Sequence, residues 1–330
     1  MQALWKEDSL LLHPTKGGSE LKQPVVVVDL FCGMGGFTQG AIDAGAEVIL
    51  CVDAWDEACS VHEANHPDTR IDCISLGNPD WYKGLLVFLK PYRGNFHIHI
   101  HGSPPCQALS NASSRDPEEG MGMVRWFLTL VKSGQPDSWS MENVVPVRKR
   151  LPQGTPSVVL NSADFGVPQT RRRCYAGEGW VAEPTHAKEE WVSVLEALPH
   201  LEGEFKENIN PNIKQRSVIE PHRSITSRTN GQVRLEATGS NAKRKADTPL
   251  EEPSKTLCGS GNQVGPRVFD HEPEKPVRVR SLTLEETLVL QGFPSDYDLS
   301  SANTQKSRWT MVGNAVPPPV AEAVIRGVQQ

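Results

Sequence analysis

The sequence predicts an α/β protein built on an open, mostly parallel, doubly wound sheet, with a smaller irregular β-rich part in its second half. Three observations predict it. Val25 to Val28 is a continuous β-branched run, the mark of a strand buried on both faces, and it leads through Asp29-Leu30 into a turn with glycine at 33, 35 and 36. A second strand, Glu47 to Val52, ends on an acid, Asp53. A third run, Phe96 to Ile100, alternates and passes into Gly102-Ser103-Pro104-Pro105-Cys106-Gln107, which puts a thiol at a strand end, where open sheets carry their sites.

In chain order, the glycine turn is followed by a helix expected from Thr38 to Ala44. Strand, glycine turn and helix make a nucleotide-binding entry, and the glycines do not discriminate between a dinucleotide and S-adenosylmethionine. Asp53 lies about 20 residues past the glycines, where such folds place an acceptor for ribose hydroxyls. Trp55 to Asn65 reads as the next helix, and a short strand near Ile71 carries Asp72. His97, His99 and His101 alternate and so share one face of a strand. No carboxylate or cysteine is spaced to complete a metal site with them, and they are expected to be sheet-face residues.

Cys106 taken alone reads as a buried structural thiol rather than as a nucleophile held by two stiffening prolines, and only its company elsewhere in the chain favours the nucleophile. The polar stretch Gln107 to Gly122 has the composition of a loop able to close over a substrate. A helix is expected from Met123 to Val131, then a strand from Asp137 to Ser140 running into Met141-Glu142-Asn143-Val144. Glu142 is a second reactive residue type at a strand end. Gln169-Thr170-Arg171-Arg172-Arg173 follows a Gly/Pro turn, and its guanidinium groups could grip phosphates or a base edge.

From Gly177 to Arg278 the texture becomes rich in Pro, Gly, Asn and Thr. Order returns at Arg280-Ser281-Leu282-Thr283, which opens a helix from Leu284 to Gln291 stopped by Gly292-Phe293-Pro294. After Gly313-Asn314-Ala315-Val316, three prolines prepare a last helix to about Gly327.

Composition narrows the class. The 330 residues suffice for one large or two modest domains, and 38% hydrophobic with 22% charged residues describes a soluble globular protein. No apolar run is long enough to span a bilayer, and Leu10-Leu11-Leu12 is too short for a signal core, so a soluble, non-secreted protein is expected. Seven cysteines without a CxxC pair argue against a disulfide framework or zinc and for a reducing compartment. Net charge is -6, yet basic residues clump at 148–150, 171–173 and 243–245, and local potential decides whether a phosphate backbone is attracted.

Together, in this order, the motifs resemble those of the DNA cytosine-5 methyltransferases over Val25 to Val328: Asp29 to Phe37, Asp53, Asp72, Pro104-Pro105-Cys106-Gln107, Glu142-Asn143-Val144, Gln169 to Arg173, Arg280 to Pro294 and Gly313 to Pro318. The resemblance implies a Rossmann-like S-adenosylmethionine-dependent methyltransferase domain with a target-recognition domain. Residues 1–23 would form an arm with no assigned role, 24–176 plus 305–330 the catalytic domain, and 177–304 the recognition domain and hinge. It implies Cys106 as nucleophile at cytosine C6, Glu142 as the partner of N3, and Arg171 and Arg173 as cations beside the base. Phe31, Gly33, Gly35, Gly36, Asp53, Asp72, Pro105, Asn314 and Val316 would line the S-adenosylmethionine pocket, and Gln107, Ser110, Gln169 and Thr256 would lie near double-stranded DNA. No metal is implied, and a monomer is expected, cytoplasmic in a bacterial or viral setting or nuclear in a eukaryotic host. The departures are small: Cys32 for a small residue, Asp53 for Glu, Cys73 for an aliphatic residue, and Ser103-Pro104 for Gly and an aromatic. The same fold also serves transfer-RNA methylation, and the glycine turn with Asp53 leaves an NAD-type oxidoreductase as the alternative from another class. The former carries a Cys-Phe-Thr element absent here; the latter leaves Cys106, Glu142 and the arginines unexplained.

Overall fold

The computed structural model describes residues 23–78, 80–105, 117–201, 254–255, 267–268 and 280–328. Its centre is a seven-stranded sheet. The strands are β1 (Val25–Leu30), β2 (Glu47–Asp53), β3 (Ile71–Cys73), β4 (His97–Gly102), β5 (Ser138–Asn143), β6 (Ser157–Asn161) and β8 (Arg172–Glu178), in the order β3-β2-β1-β4-β5-β8-β6. A two-residue strand, β7 (Gln169–Thr170), precedes β8. The pairs β3-β2, β2-β1, β1-β4 and β4-β5 are parallel, and β8 runs antiparallel to both of its neighbours. Every residue of β1 is buried, as its β-branched run requires.

Helices cover both faces. The helices are α1 (Gly36–Asp43), α2 (Asp56–Asn65), α3 (Trp81–Leu89), α4 (Pro117–Gly134), the short α5 (Val194–Ala197), α6 (Leu284–Leu290), α7 (Gln305–Asn314) and α8 (Pro318–Val328). One core joins Val26, Val28, Leu30, Ile98 and Ile100 to Leu85 and Leu89 of α3 and Val124 and Phe127 of α4. The other joins Val25, Val27 and Val48 to Phe37 and Ala41 of α1 and Val320, Val324 and Ile325 of α8. Helix α8 thus returns the end of the chain to the first strand. A third cluster gathers Met34, Val61, Val194, Leu198, Leu288, Phe293 and Met311, so residues of 194–201 and of 282–312 share a core with the glycine turn.

The structure differs from the sequence expectation in several elements. Helix α3 goes unread in the sequence because Gly84 interrupts an almost wholly apolar run; its buried residues Trp81, Leu85 and Leu89 nevertheless share one face. Helix α4 begins earlier than Met123, its first turns being polar. Strand β5 runs on to Asn143 although it buries Ser138, Ser140, Glu142 and Asn143. The two serines are explained by β4. Ser138 Oγ bonds His97 Nε2 and His99 Nδ1, each at 2.8 Å, and Ser140 Oγ bonds His99 Nε2 and His101 Nδ1, each at 2.8 Å. His101 Nε2 continues to Ser103 Oγ at 2.9 Å. The alternating histidines therefore zip β4 to β5, and His101 stacks on Phe37 with centroids 3.5 Å apart. Burial pushes the His99 imidazole down to about 3, so the ladder is neutral there. Among the described residues no helix is long and apolar enough to cross a membrane.

Candidate active site

The carboxyl ends of β1, β2, β4 and β5 converge, as parallel pairing in register demands. At the end of β1, Phe31 takes φ 59°, a left-handed conformation costing roughly 1–3 kcal/mol for a side chain of this kind, and its ring meets Trp126 edge-on at 6.1 Å. Gly35 takes φ 97°, and a Cβ there would lie 2.7 Å from His66 Nε2, so both conformation and space demand glycine. A Cβ on Gly36 would lie 2.1 Å from the Val316 carbonyl oxygen, which brings the chain's last part against the first turn. A Cβ on Gly33 would meet nothing within 4 Å. The turn is closed behind and open at Gly33.

Asp53 faces that turn from β2. Its Oδ2 accepts the Gly33 N–H at 2.8 Å and its Oδ1 the Trp55 N–H at 2.9 Å. Each oxygen keeps further acceptor capacity, suiting the vicinal hydroxyls of a ribose. Asp72 is held by Arg70, whose Nε and Nη2 reach its two oxygens at 3.0 and 2.9 Å.

On the other side of β1, Asn143 Nδ2 donates to the Pro104 carbonyl at 3.0 Å. That bond ties the end of β5 to the turn before Cys106. Glu142 is buried, with Arg173 Nε 3.0 Å from its Oε1. The contact is an ion pair without hydrogen-bond alignment, so Oε1 is a buried acceptor with its directional capacity unused. Arg171 is buried and donates from Nη1 to the Gly313 carbonyl at 2.9 Å, with Nη2 3.5 Å from the Asn314 carbonyl. It thereby fixes the end of α7, where Asn314 is exposed and Val316 buried. Gln169 is buried and donates to the Leu290 carbonyl at 3.1 Å and to Gln291 Oε1 at 2.6 Å. Strand β7 also pairs in parallel with Ser254–Lys255, the two residues before Thr256. Cys106, Gln107, Ser110 and Thr256 lie outside the described residues, while Pro105 is the last residue described before Cys106.

A family model for C-5 cytosine-specific DNA methylase matches residues 25–151 and 154–330. The chain belongs to this family. The methylase is 28% identical to the Type II methyltransferase M1.HphI of Haemophilus parahaemolyticus, over 91% of this chain and 86% of that protein. It is likewise 28% identical to the Type II methyltransferase M.MthTI of Methanothermobacter thermautotrophicus, over 92% and 97%. Among solved structures, Entamoeba histolytica methyltransferase EhMeth superposes with a TM-score of 0.60 at 16% identity, covering 93% of this chain and 98% of that one. A Spodoptera frugiperda DNMT2 mutant superposes with 0.59 at 15%, covering 92% and 99%. These likenesses concern the fold. Membership of the family makes the chain a DNA cytosine-5 methyltransferase and removes the oxidoreductase alternative.

Sequence reasoning passed over two groups of this methylase. Asn143 was visible only as the middle of Glu142-Asn143-Val144, and its task depends on β4 and β5 lying side by side. Asp29 is buried behind the glycine turn and is pushed up to about 7 by that burial, against a lowering hydrogen bond from Thr38 and with Asp53 adding to the rise. Thr38 Oγ1 donates to Asp29 Oδ2 at 2.8 Å and lies 3.2 Å from Cys51 Sγ and 3.1 Å from His62 Nε2. Cys32, Cys51 and His62 offer metal-ligand atoms within 4.8 Å of one another. The Thr38 hydroxyl bonds Cys51 Sγ and His62 Nε2, while His62 Nδ1 is buried without a hydrogen-bond partner.

Proposed function

We propose that this methylase transfers a methyl group from S-adenosylmethionine to C5 of a cytosine flipped out of double-stranded DNA, with Cys106 as nucleophile and Glu142 as proton donor. The observation that carries it is the juxtaposition at the ends of β4 and β5. One hydrogen bond, Asn143 Nδ2 to Pro104 O, couples the strand that bears Glu142 to the turn that leads into Cys106.

The described residues fit the cosubstrate. The open face at Gly33 admits a ligand against the backbone, and Asp53 offers acceptors for the ribose hydroxyls. Phe31 and Pro105 would border the methyl-bearing end, Asp72 the adenine amine, and Asn314 and Val316 the far wall. When bound, S-adenosylmethionine supplies an electrophilic methyl group. The chain's own residues make C5 able to take it. The Cys106 thiolate forms a bond to C6 while Glu142 gives a proton to N3, so negative charge does not accumulate on the ring and C5 gains enamine character. Arg173, beside Glu142, and Arg171 add positive potential that favours the thiolate. After C5 is methylated, its proton leaves to a base and the C6–S bond breaks, restoring Cys106.

A cytosine inside the duplex is beyond reach of any thiol, so extrusion costs roughly a few kcal/mol, repaid by contacts in the pocket. The segment after Cys106 and the region from 177 to 304 are assigned to hold the DNA, with Gln107, Ser110, Gln169 and Thr256 near it. For Gln169 this role is through position: its amide holds Leu290 and Gln291. Type II methyltransferase relatives support a restriction-modification setting and a cytoplasmic location.

Expression in a host lacking cytosine methylation, followed by bisulfite sequencing, tests the reading. The expected result is 5-methylcytosine at one short recurring sequence. No methylation by a cofactor-binding protein would overturn it.

A further inference from the structure

We infer that Tyr297, held by His66 and Asn65 at the end of α2, is a positioning residue that fixes the turn on which the cosubstrate is bound. The inference rests on the reading of the 31–36 turn as the S-adenosylmethionine site. Its origin is a carbonyl with an unusual partner. Gly35 O accepts the first bond of α1 from Gln39 N at 2.8 Å, and Gly35 N donates back to Cys32 O at 3.0 Å. The Met34 carbonyl falls just outside the helix, and the Tyr297 hydroxyl, 263 residues away in sequence, donates to it. A buried carbonyl at this point would otherwise cost its desolvation.

Tyr297 is not free to leave. It is buried, and its oxygen lies 3.1 Å from His66 Nε2. With the hydroxyl proton given to Met34, the imidazole must donate from Nε2, as a neutral ring allows. The same ring packs beneath Gly35. One residue earlier, Asn65 makes a two-way bond to the backbone of Asp298: Nδ2 donates to its carbonyl and Oδ1 accepts its N–H, each at 2.8 Å. Phe293 stacks edge-on against Tyr297 at 4.7 Å and lies beside Gly36. Helix α2 begins just after Asp53, so a single helix relates the acid assigned to the ribose, the imidazole under Gly35 and the clamp on the Tyr297 segment.

The chemistry is directional rather than merely apolar. A phenylalanine at 297 would keep the ring contacts and lose the hydroxyl's bonds, the one that aims the Met34 carbonyl and the one from His66 Nε2. The test measures S-adenosylhomocysteine binding by calorimetry and steady-state methylation for the full chain. Tyr297→Phe is expected to raise Kd for S-adenosylhomocysteine and KM for S-adenosylmethionine by about 3- to 10-fold, the effect of one hydrogen bond. At saturating S-adenosylmethionine, kcat should stay within about 2-fold. Asn65→Ala, which frees the segment without touching the ring, should give the same split. Unchanged Kd in both variants would overturn the inference, as would a loss of kcat alone. Asp53→Ala separates the two readings. If Asp53→Ala weakens binding while Tyr297→Phe and Asn65→Ala do not, only this inference fails. If Asp53→Ala binds normally, the site assignment itself fails.

Discussion

The two halves of the site are built differently. At the ends of β1 and β2, Asp53 has both oxygens on backbone N–H groups, Gly33 is pinned by one of them, and Met34 is capped from a distant segment. At the end of β5, Glu142 has a cation 3.0 Å away and no aligned hydrogen bond on Oε1. The first arrangement suits binding, because a pre-formed surface loses little freedom when occupied. The second suits chemistry, because a carboxylate whose partner is ionic rather than directional can accept a new hydrogen-bonding group without breaking an old one.

Changes on the two sides should therefore separate kcat from Kd, and the largest effect lies on the base side. Cys106→Ala should abolish incorporation of radiolabelled methyl groups into DNA while leaving DNA retention on a filter. Methylation persisting in that variant would take Cys106 out of the reaction. Next, Glu142→Gln should lower kcat by about 10²- to 10⁴-fold, the usual worth of a general acid, with cofactor affinity within about 2-fold. A Kd change comparable to the kcat change would blur the division between the halves. On the other side, Asp53→Ala should raise Kd by about 10- to 100-fold, as expected for a hydrogen bond to a charged group, and leave kcat at saturation nearly intact. Equal losses in both constants would show that Asp53 also serves the chemistry.

The smallest expected effect is on stability, and pH exposes it. Burial holds His62 near 3, with His66 adding to the depression, and holds His66 near 4 and His99 near 3. In the unfolded chain these rings titrate at about 6.5. The unfolded state therefore binds more protons below that value, and stability falls as pH drops from about 6.5 towards 4. Asp29, raised to about 7, has the opposite sign: its contribution falls as pH rises from about 4 to 7. Three rings outweigh one carboxyl, so thermal unfolding should occur at a lower temperature at pH 5 than at pH 7. Asp29→Asn should deepen that difference, because it removes the opposing contribution. A flat melting temperature between pH 5 and 7 would mean that the rings are not held neutral.

Much of the sheet's parallel half was legible, since β-branched runs, glycine turns and strand-end acids are local features. Strand β2 and helix α2 fall within a residue of the expectation, and β1 runs two residues past it, to Leu30. Helix α3 and the full length of β5 were not, because an apolar run broken by glycine and a strand of serines, Glu142 and Asn143 have no decisive period of their own. The antiparallel β8 hid behind its arginines. Their strand conformation comes from pairing with β5 and β6, not from propensity.

By itself the sequence determined the inventory and order of reactive groups: Cys106 after two prolines, Glu142 at a strand end, Asp53 past the glycines, and the arginines at 171–173. Order along a chain follows from covalent bonds, and so it can be read without a fold. Only the tertiary structure decided what each group touches. It gave Arg171 to the Gly313 carbonyl, Asp72 to Arg70, Asn143 to Pro104 and Tyr297 to Met34. Those partners are chosen by desolvation, because a polar group taken out of water must find a complement among whatever residues the sheet and helices bring beside it.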